Sequence, residues 1–331
     1  MNLSTIPAAP HAQGFIKVAM EGDPAFGDRR TVNDFLITAR HHVVPESGEP
    51  RLAEHPIKQT LLSKIQDAGP DQRQLREIPI RLFFNKPENA LSIRYQAYAC
   101  EGNTPVCAGD GKNAKRLVNA GDGTPTLQDV PCTGPETCQL VQSGTAKCNR
   151  QVRMAVQIVG QPDPLSVFEV RTSSINTYRA LRGQLQHISG RFNGLRHVPL
   201  KLTLWQASNE ASSYQPFSLM QLELDAPSEL EAMKLASDAR TELATAGISD
   251  DVDAALGASA GVDDEWFGAA DYQSVAEFYG GNSGRRAGSQ AITPQGVNAQ
   301  RRTDLGTAAT SAISTAVKLA GPAQLGEAAV S

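Results

Sequence analysis

The 331-residue sequence lacks the features that mark membrane and exported proteins. It has no run of about 18 apolar residues, which excludes a membrane-spanning helix. Its first 20 residues lack the basic start and apolar core of a secretory signal, so we expect a cytoplasmic protein. Aromatic residues are scarce at 5%, and the net charge is only −4. This balance argues against a strongly basic protein that binds nucleic acid by charge alone.

Charge is distributed unevenly along the chain. Residues 1–224 hold 24 Lys and Arg against 20 Asp and Glu, whereas residues 225–280 hold 2 against 13. Residues 281–331 hold 5 against 2 and are rich in Ser, Gly, Ala, Gln and Thr. We therefore predict a mildly basic body, an acidic helical extension over 225–280 and a disordered tail over 281–331.

Short apolar alternations predict strands throughout the body. After a flexible lead over 1–13, we expect an α+β body over 14–224 with an antiparallel or mixed sheet. Turn-forming residues between 85 and 89 predict that strands 78–84 and 91–99 form a hairpin. The remaining predicted strands cover residues 14–19, 31–38, 152–159, 165–172, 199–205 and 216–224.

Three stretches have helical rather than strand periodicity. Ile175–Ile188 carries apolar residues at spacings of three and four, with Ser173 or Ser174 available as N-cap and Gly190 after its end. Residues 58–68 predict a short helix, and residues 228–245 predict a C-terminal helix that ends before Gly247.

All five cysteines lie between positions 100 and 148. A disulfide framework is disfavoured because the cytosol keeps thiols reduced. The surrounding sequence is poor in apolar residues, so we expect a loop insert over 100–148 that a metal ion could hold together. None of the spacings is the tight C-x2-C of the common zinc motifs, so independent free thiols remain the alternative.

Sequence context separates one cysteine from the other four. Cys100 ends an apolar strand, where a buried free thiol is common. The others follow or precede turn-forming residues, so we expect the zinc ligands to be Cys107, Cys132, Cys138 and Cys148. A site of four thiolates has no open coordination position and would be structural.

Catalytic motifs are absent from the sequence. It contains no H-E-x-x-H, no phosphate-binding loop and no G-x-S-x-G. Asp110, Asp122 and Asp129 could form a carboxylate metal site, but Gly- and Asp-rich stretches more often form turns. A metal-dependent hydrolase is therefore the least favoured alternative, and we do not expect an enzyme.

Several sequence segments resemble the recombination-directionality-factor-like proteins of phages and integrative elements. The similar segments are Cys107-Ala-Gly-Asp-Gly, Val130-Pro-Cys132, Phe168-Glu-Val-Arg-Thr and Gly194-Leu-Arg-His-Val-Pro. The resemblance spans roughly residues 14–224. It implies a structural zinc at the same four cysteines. It also implies a non-enzymatic protein that binds a site-specific recombinase, a serine integrase. This protein would redirect the recombinase from integration towards excision.

Two further interactions are predicted from the residues themselves. The cations between 150 and 201 suggest binding to single-strand or duplex DNA, as in the replication or repair module of a mobile element. The contacts would be made by Arg171, Arg179, Arg182, Arg191 and Arg196. In the acidic extension, Trp266 and Phe267 could anchor a linear docking motif, or a helix that packs on the body.

Overall fold

The computed structural model describes residues 10–21, 30–44, 51–65, 74–100, 105–119 and 125–256. Within the described ranges, the chain divides into two compact units, the first from residues 10–93 and 151–256 and the second from residues 94–150. Among the helices of the described ranges, none is long and apolar enough to cross a membrane.

The elements follow one another in this order: β1 (Ala12–Glu21), β2 (Arg30–Val43), β3 (Arg51–Glu54), α1 (Ile57–Ser63), β4 (Glu77–Leu82), α2 (Pro87–Ala90), β5 (Leu91–Ala99), β6 (Pro105–Gly109), β7 (Asn113–Asn119), β8 (Pro125–Pro131), α3 (Gln139–Gln142), β9 (Ala146–Ile158), β10 (Val167–Thr172), α4 (Ile175–Phe192), β11 (Leu200–Ala207), β12 (Phe217–Leu224), α5 (Glu229–Thr245) and α6 (Val252–Leu256).

The first unit is built on a mixed sheet with the strand order β3-β2-β1-β10-β9, continued through β4 and β11 to β12. β1 and β10 run parallel, and the six other strand pairs in this order are antiparallel. Successive side chains of a strand face opposite ways, and Val152, Met154, Val156 and Ile158 of β9 are each no more than 1% exposed. The predicted α+β class with a mixed sheet is confirmed for the described residues.

The predicted hairpin of strands 78–84 and 91–99 is wrong. β4 pairs with β9 on one side and with β11 on the other, so both of its edges are occupied. The turn-forming residues between β4 and β5 instead form α2, which begins at Pro87. Proline suits this first helical position because its missing N–H has no partner there.

Helix α4 begins as its sequence indicates and ends later. Ser174 caps it, its hydroxyl accepting a hydrogen bond from the Thr177 N–H at 3.2 Å. Leu181, Leu185 and Ile188 form the predicted buried stripe. The helix passes through Gly190 and ends at Phe192, because Asn193 adopts the left-handed conformation at the C-cap.

Polar side chains of α4 hydrogen-bond with backbone groups of β12. The Gln184 amide accepts from the Leu222 N–H and donates to the Leu222 carbonyl, both at 2.9 Å. Thr177 accepts from the Met220 N–H at 3.5 Å. Unpaired strand edges are templates for aggregation, so these contacts protect β12 from pairing with another chain.

Replacing Gln184 with alanine is expected to lower the free energy of unfolding by about 1–2 kcal/mol, because two backbone groups of Leu222 lose their partner. Chemical denaturation measures the change. The matched control is Gln186→Ala, since Gln186 is exposed on the same helix. Equal effects of the two substitutions would show that Gln184 contributes nothing specific to the edge.

Two aspartates join the segment after α5 to the rest of the first unit by hydrogen bonds. Asp250 accepts hydrogen bonds from the Arg196 Nε at 2.9 Å and contacts the His197 Nε2 at 2.6 Å. Burial acts to raise the pKa of Asp250, but the hydrogen bonds from Arg196 and His197 outweigh it and lower that pKa. Asp253 is 5% exposed and accepts from the Asn85 N–H at 2.6 Å.

The second unit contains strands where the sequence predicted loops. β6 pairs with β5 and β7, and β7 pairs with β8, all antiparallel. A small apolar core is present as well, although the surrounding sequence is poor in apolar residues. The small residues that build the core are too few to stand out in the sequence: Ala97, Ala99, Val106, Cys107, Ala114, Leu140 and Ala146.

Candidate functional site

The four predicted zinc ligands come from four different elements of the second unit. Cys107 lies on β6 and is 8% exposed. Cys132 follows β8, Cys138 is the N-cap residue of α3, and Cys148 lies on β9. Cys107 and Cys148 therefore occupy strands, not the loops expected from their neighbours. We call these four residues the thiol cluster.

The structure brings the members of the thiol cluster together. Cys107 belongs to the small core, and the other three pack against it. Burial, followed by the negative charges of Cys107, Cys138 and Cys132, raises the pKa of Cys148 to about 12. Burial also raises the pKa of Cys107, with Cys138 and Cys132 acting in the same direction. The thiols of Cys132 and Cys138 are thus close enough to oppose the ionisation of Cys107 and Cys148.

Backbone geometry on β6 allows one of these sulfurs to approach closely. A Cβ added at Gly109 would lie 2.8 Å from the Cys132 Sγ and 2.7 Å from the Ala114 Cβ. The Cys132 N–H donates to the Lys112 carbonyl at 2.8 Å. Glycine at position 109 therefore leaves the space that the Cys132 side chain requires.

A cation also lies beside the thiols. The Arg116 guanidinium on β7 donates to the Cys138 Sγ at 3.7 Å, and Arg116 lies opposite Cys107 in the pairing of β6 with β7. Arg116 could not be identified from the sequence, because nothing in the local pattern of β7 shows which side chain faces the cysteines. The positive charge of Arg116 favours the thiolate form of Cys107 and would partly neutralise the charge of four thiolates.

The arrangement does not constitute a ready-made metal site. Within the described ranges, no group of three or more His, Cys, Asp or Glu side chains is positioned to hold a metal ion. The donor set nevertheless fits zinc, which binds four thiolates tetrahedrally. The zinc predicted from the sequence therefore stays a prediction.

Cys100 and Asp110 lie near these thiols in sequence but have different roles. Cys100 is exposed, contrary to the predicted burial. Asp110 accepts from the Lys112 and Asn113 N–H groups at 2.7 Å each. Asp110 thus forms a turn, as such sequences usually do.

The five predicted DNA-contacting arginines have different environments. Arg171 is 5% exposed, pairs with Glu169 and lies 4.0 Å from the centroid of the Phe15 ring. Because its guanidinium is enclosed in the first unit, the prediction that Arg171 contacts phosphates conflicts with its position.

Two of the other four arginines already have acidic partners. Arg196 pairs with Asp250 at 2.7 Å, and Arg191 pairs with Glu229 at 2.8 Å. Arg179 and Arg182 lie exposed on α4, and Arg182 donates to the Tyr178 hydroxyl at 3.4 Å. The open cationic surface of α4 is thus smaller than the sequence predicts. Trp266 and Phe267 lie outside the described residues, and their docking role stays a prediction.

A groove between α4 and α5 lacks the groups that acid–base catalysis requires. Its lining contains no histidine and no carboxylate. The residues that line it are Arg191, Phe192, Asn193, Met233, Ser237, Arg240, Thr241, Ala244 and Thr245.

Comparison with known proteins identifies the family of the chain. The model of the Gp3-like family, described as recombination directionality factor-like, matches residues 38–225. No curated protein and no solved structure matches the chain. The matched range covers more than half of the 331 residues and includes all five cysteines. The chain therefore belongs to the recombination directionality factor-like family.

Proposed function

We propose that this protein is a non-enzymatic accessory factor of DNA recombination in a phage or integrative element. It binds a site-specific recombinase of the serine-integrase type and favours excision over integration. The observation that carries the proposal is the family match over residues 38–225, which takes in β4 to β12 and the thiol cluster.

Direction control requires a difference in affinity between two states of the recombinase complex. A factor that binds both states equally shifts neither, however tightly it binds. A preference of about 3 kcal/mol for the excision state changes the ratio of the two states roughly a hundredfold. The protein therefore needs rigid, specific contact surfaces rather than a reacting group.

A structural zinc in the second unit would supply part of this rigidity. The ligands would be Cys107, Cys132, Cys138 and Cys148, and four thiolates leave the metal no open position for catalysis. Four thiolates and one Zn²⁺ carry a net charge of −2. The Arg116 guanidinium, which already contacts Cys138, would reduce this charge.

A recombination assay with the recombinase of the same element tests the proposed function. DNA carrying the two attachment junctions of the integrated element is incubated with recombinase, with and without the full-length protein. We expect excision only when the protein is present, and integration to be inhibited. A recombinase that neither binds the protein nor changes direction would refute the proposal.

A second function, direct DNA binding, is supported by the exposed face of α4. Arg179 and Arg182 are exposed one helical turn apart. Residues three positions apart on a helix are neighbours, so both could contact one stretch of backbone phosphates.

The double variant Arg179→Gln/Arg182→Gln is expected to weaken DNA binding and to reduce the slope of log K against log salt by about 2, since each lost phosphate contact removes about 1 from it. Electrophoretic mobility shifts at several salt concentrations measure this slope. The control is Lys234→Gln, which removes one exposed charge on α5. Wild-type binding that is absent or insensitive to salt would exclude this function.

A further inference from the structure

The hairpin formed by β11 and β12 carries two exposed aromatic side chains. Tyr214, in the connecting loop, is 73% exposed, and Trp205, near the end of β11, is 39% exposed. Trp205 pairs across the hairpin with Leu219, which is 5% exposed. The sequence contains only two Trp and six Tyr, so the exposure of two of them on one hairpin is notable.

The loop holds Tyr214 in an unfavourable backbone conformation. Ser213 and Tyr214 have φ angles of 50° and 58°, in the left-handed region. Side chains with a bulky ring rarely adopt this region, whereas Gly and Asn adopt it readily. The left-handed backbone conformation alone therefore does not explain why position 214 is a tyrosine.

Hydrogen bonds fix the loop in this conformation. The Asn209 side chain accepts from the Ser212 N–H at 2.9 Å, and the Ser212 hydroxyl accepts from the Asn209 N–H at 3.1 Å. The Tyr214 N–H donates to the Asn209 carbonyl at 2.9 Å. The loop is thus preorganised, which reduces the entropy lost when it binds a partner.

The charge of the hairpin tip indicates the class of partner. Residues 206–216 contain one charged side chain, Glu210, and no Lys or Arg. A surface without cations is a poor site for a phosphate backbone. Exposed Tyr and Trp on a nearly uncharged surface are instead typical of the central residues of protein–protein interfaces.

We propose that the tip of the β11–β12 hairpin is a protein-docking surface, with Tyr214 as its anchor and Trp205 at its base. The partner is the recombinase, because an exposed aromatic ring on a surface without Lys or Arg suits a protein surface rather than a phosphate backbone. This assignment rests on the proposed function, since it names the surface through which the recombinase is bound.

Substitutions at position 214 separate docking from a structural role. In the full-length protein, Tyr214→Asn and Tyr214→Gly remove the ring and suit the left-handed backbone. We expect both to keep or raise the temperature of unfolding and to weaken recombinase binding at least tenfold. Tyr214→Phe should retain most of the affinity. The control is Leu165→Asn, because Leu165 is apolar and 81% exposed outside this hairpin.

Binding is measured by biolayer interferometry with immobilised recombinase, and the oligomeric state by light scattering. If the wild type binds and Tyr214→Asn binds equally well, the docking surface is wrong and the proposed function stands. If the wild type does not bind, the proposed function fails with it. A Tyr214→Asn protein that is less stable, or that changes its oligomeric state, overturns the assignment to the recombinase.

Discussion

Replacing Cys107 with serine is expected to abolish zinc binding and to unfold the second unit. The small core there consists mainly of alanines, so little apolar surface is available to hold β6, β7 and β8 together. Structural zinc in small domains contributes apparent binding free energies of about 10–16 kcal/mol, which become folding free energy. This is comparable with the whole stability of a typical domain, about 5–15 kcal/mol, so loss of the zinc is expected to unfold the unit.

Two measurements check this result. Metal analysis should give one zinc per wild-type chain and none for Cys107→Ser, and hydrogen exchange should show lost protection in β6 to β8. Cys100→Ser is the matched control, since Cys100 is exposed and lies outside the thiol cluster. Wild-type protein that contains no zinc and keeps its stability in chelator would contradict the proposed metal site.

Replacing Asp253 with alanine is expected to lower the free energy of unfolding of the first unit by about 2–4 kcal/mol. The carboxylate is buried and accepts from the Asn85 N–H and the Asn89 Nδ2 at 2.6 Å, and from the Lys86 N–H at 3.3 Å. Truncation leaves these donors without their acceptor, and hydrogen bonds to charged groups are the stronger ones.

Denaturant unfolding of the full-length protein measures the effect. Asp238→Ala is the control, because Asp238 is an exposed acid on α5 and its removal changes the net charge equally. We expect Asp238→Ala to change stability by less than about 0.5 kcal/mol. Similar losses for both variants would mean that the contacts of Asp253 do not stabilise the fold.

Local sequence patterns predicted the helices and strands better than the strand pairing. The Ser174 cap and the apolar stripe of α4 are local signals, and the structure confirms both. The pairing of β4 with β9 and β11 depends on residues far away in the chain, so no turn signal near residue 85 could reveal it. Turn-forming residues indicate where a strand ends and not which strand lies beside it.

The sequence indicated the proximity of the cysteines better than the environment of the arginines. Cysteine is rare enough that clustering in sequence indicated proximity in space, and four of the five residues do lie together. Arginine is common, and the number of arginines in a stretch of sequence does not show which side chains are exposed and which are paired with an acid. Arg171 faces Glu169 on its own strand, and Arg196 faces Asp250, more than 50 residues away.

The parallel pairing of β1 with β10 determines how this chain can fold as it leaves the ribosome. Ala12 is paired with Val167, so β1 cannot pair with β10 until roughly 150 further residues have been synthesised. At translation rates of about 5–20 residues per second, this takes about 8–30 s. During that interval the nascent pair of β1 and β2 exposes a strand edge, to which we expect chaperones to bind.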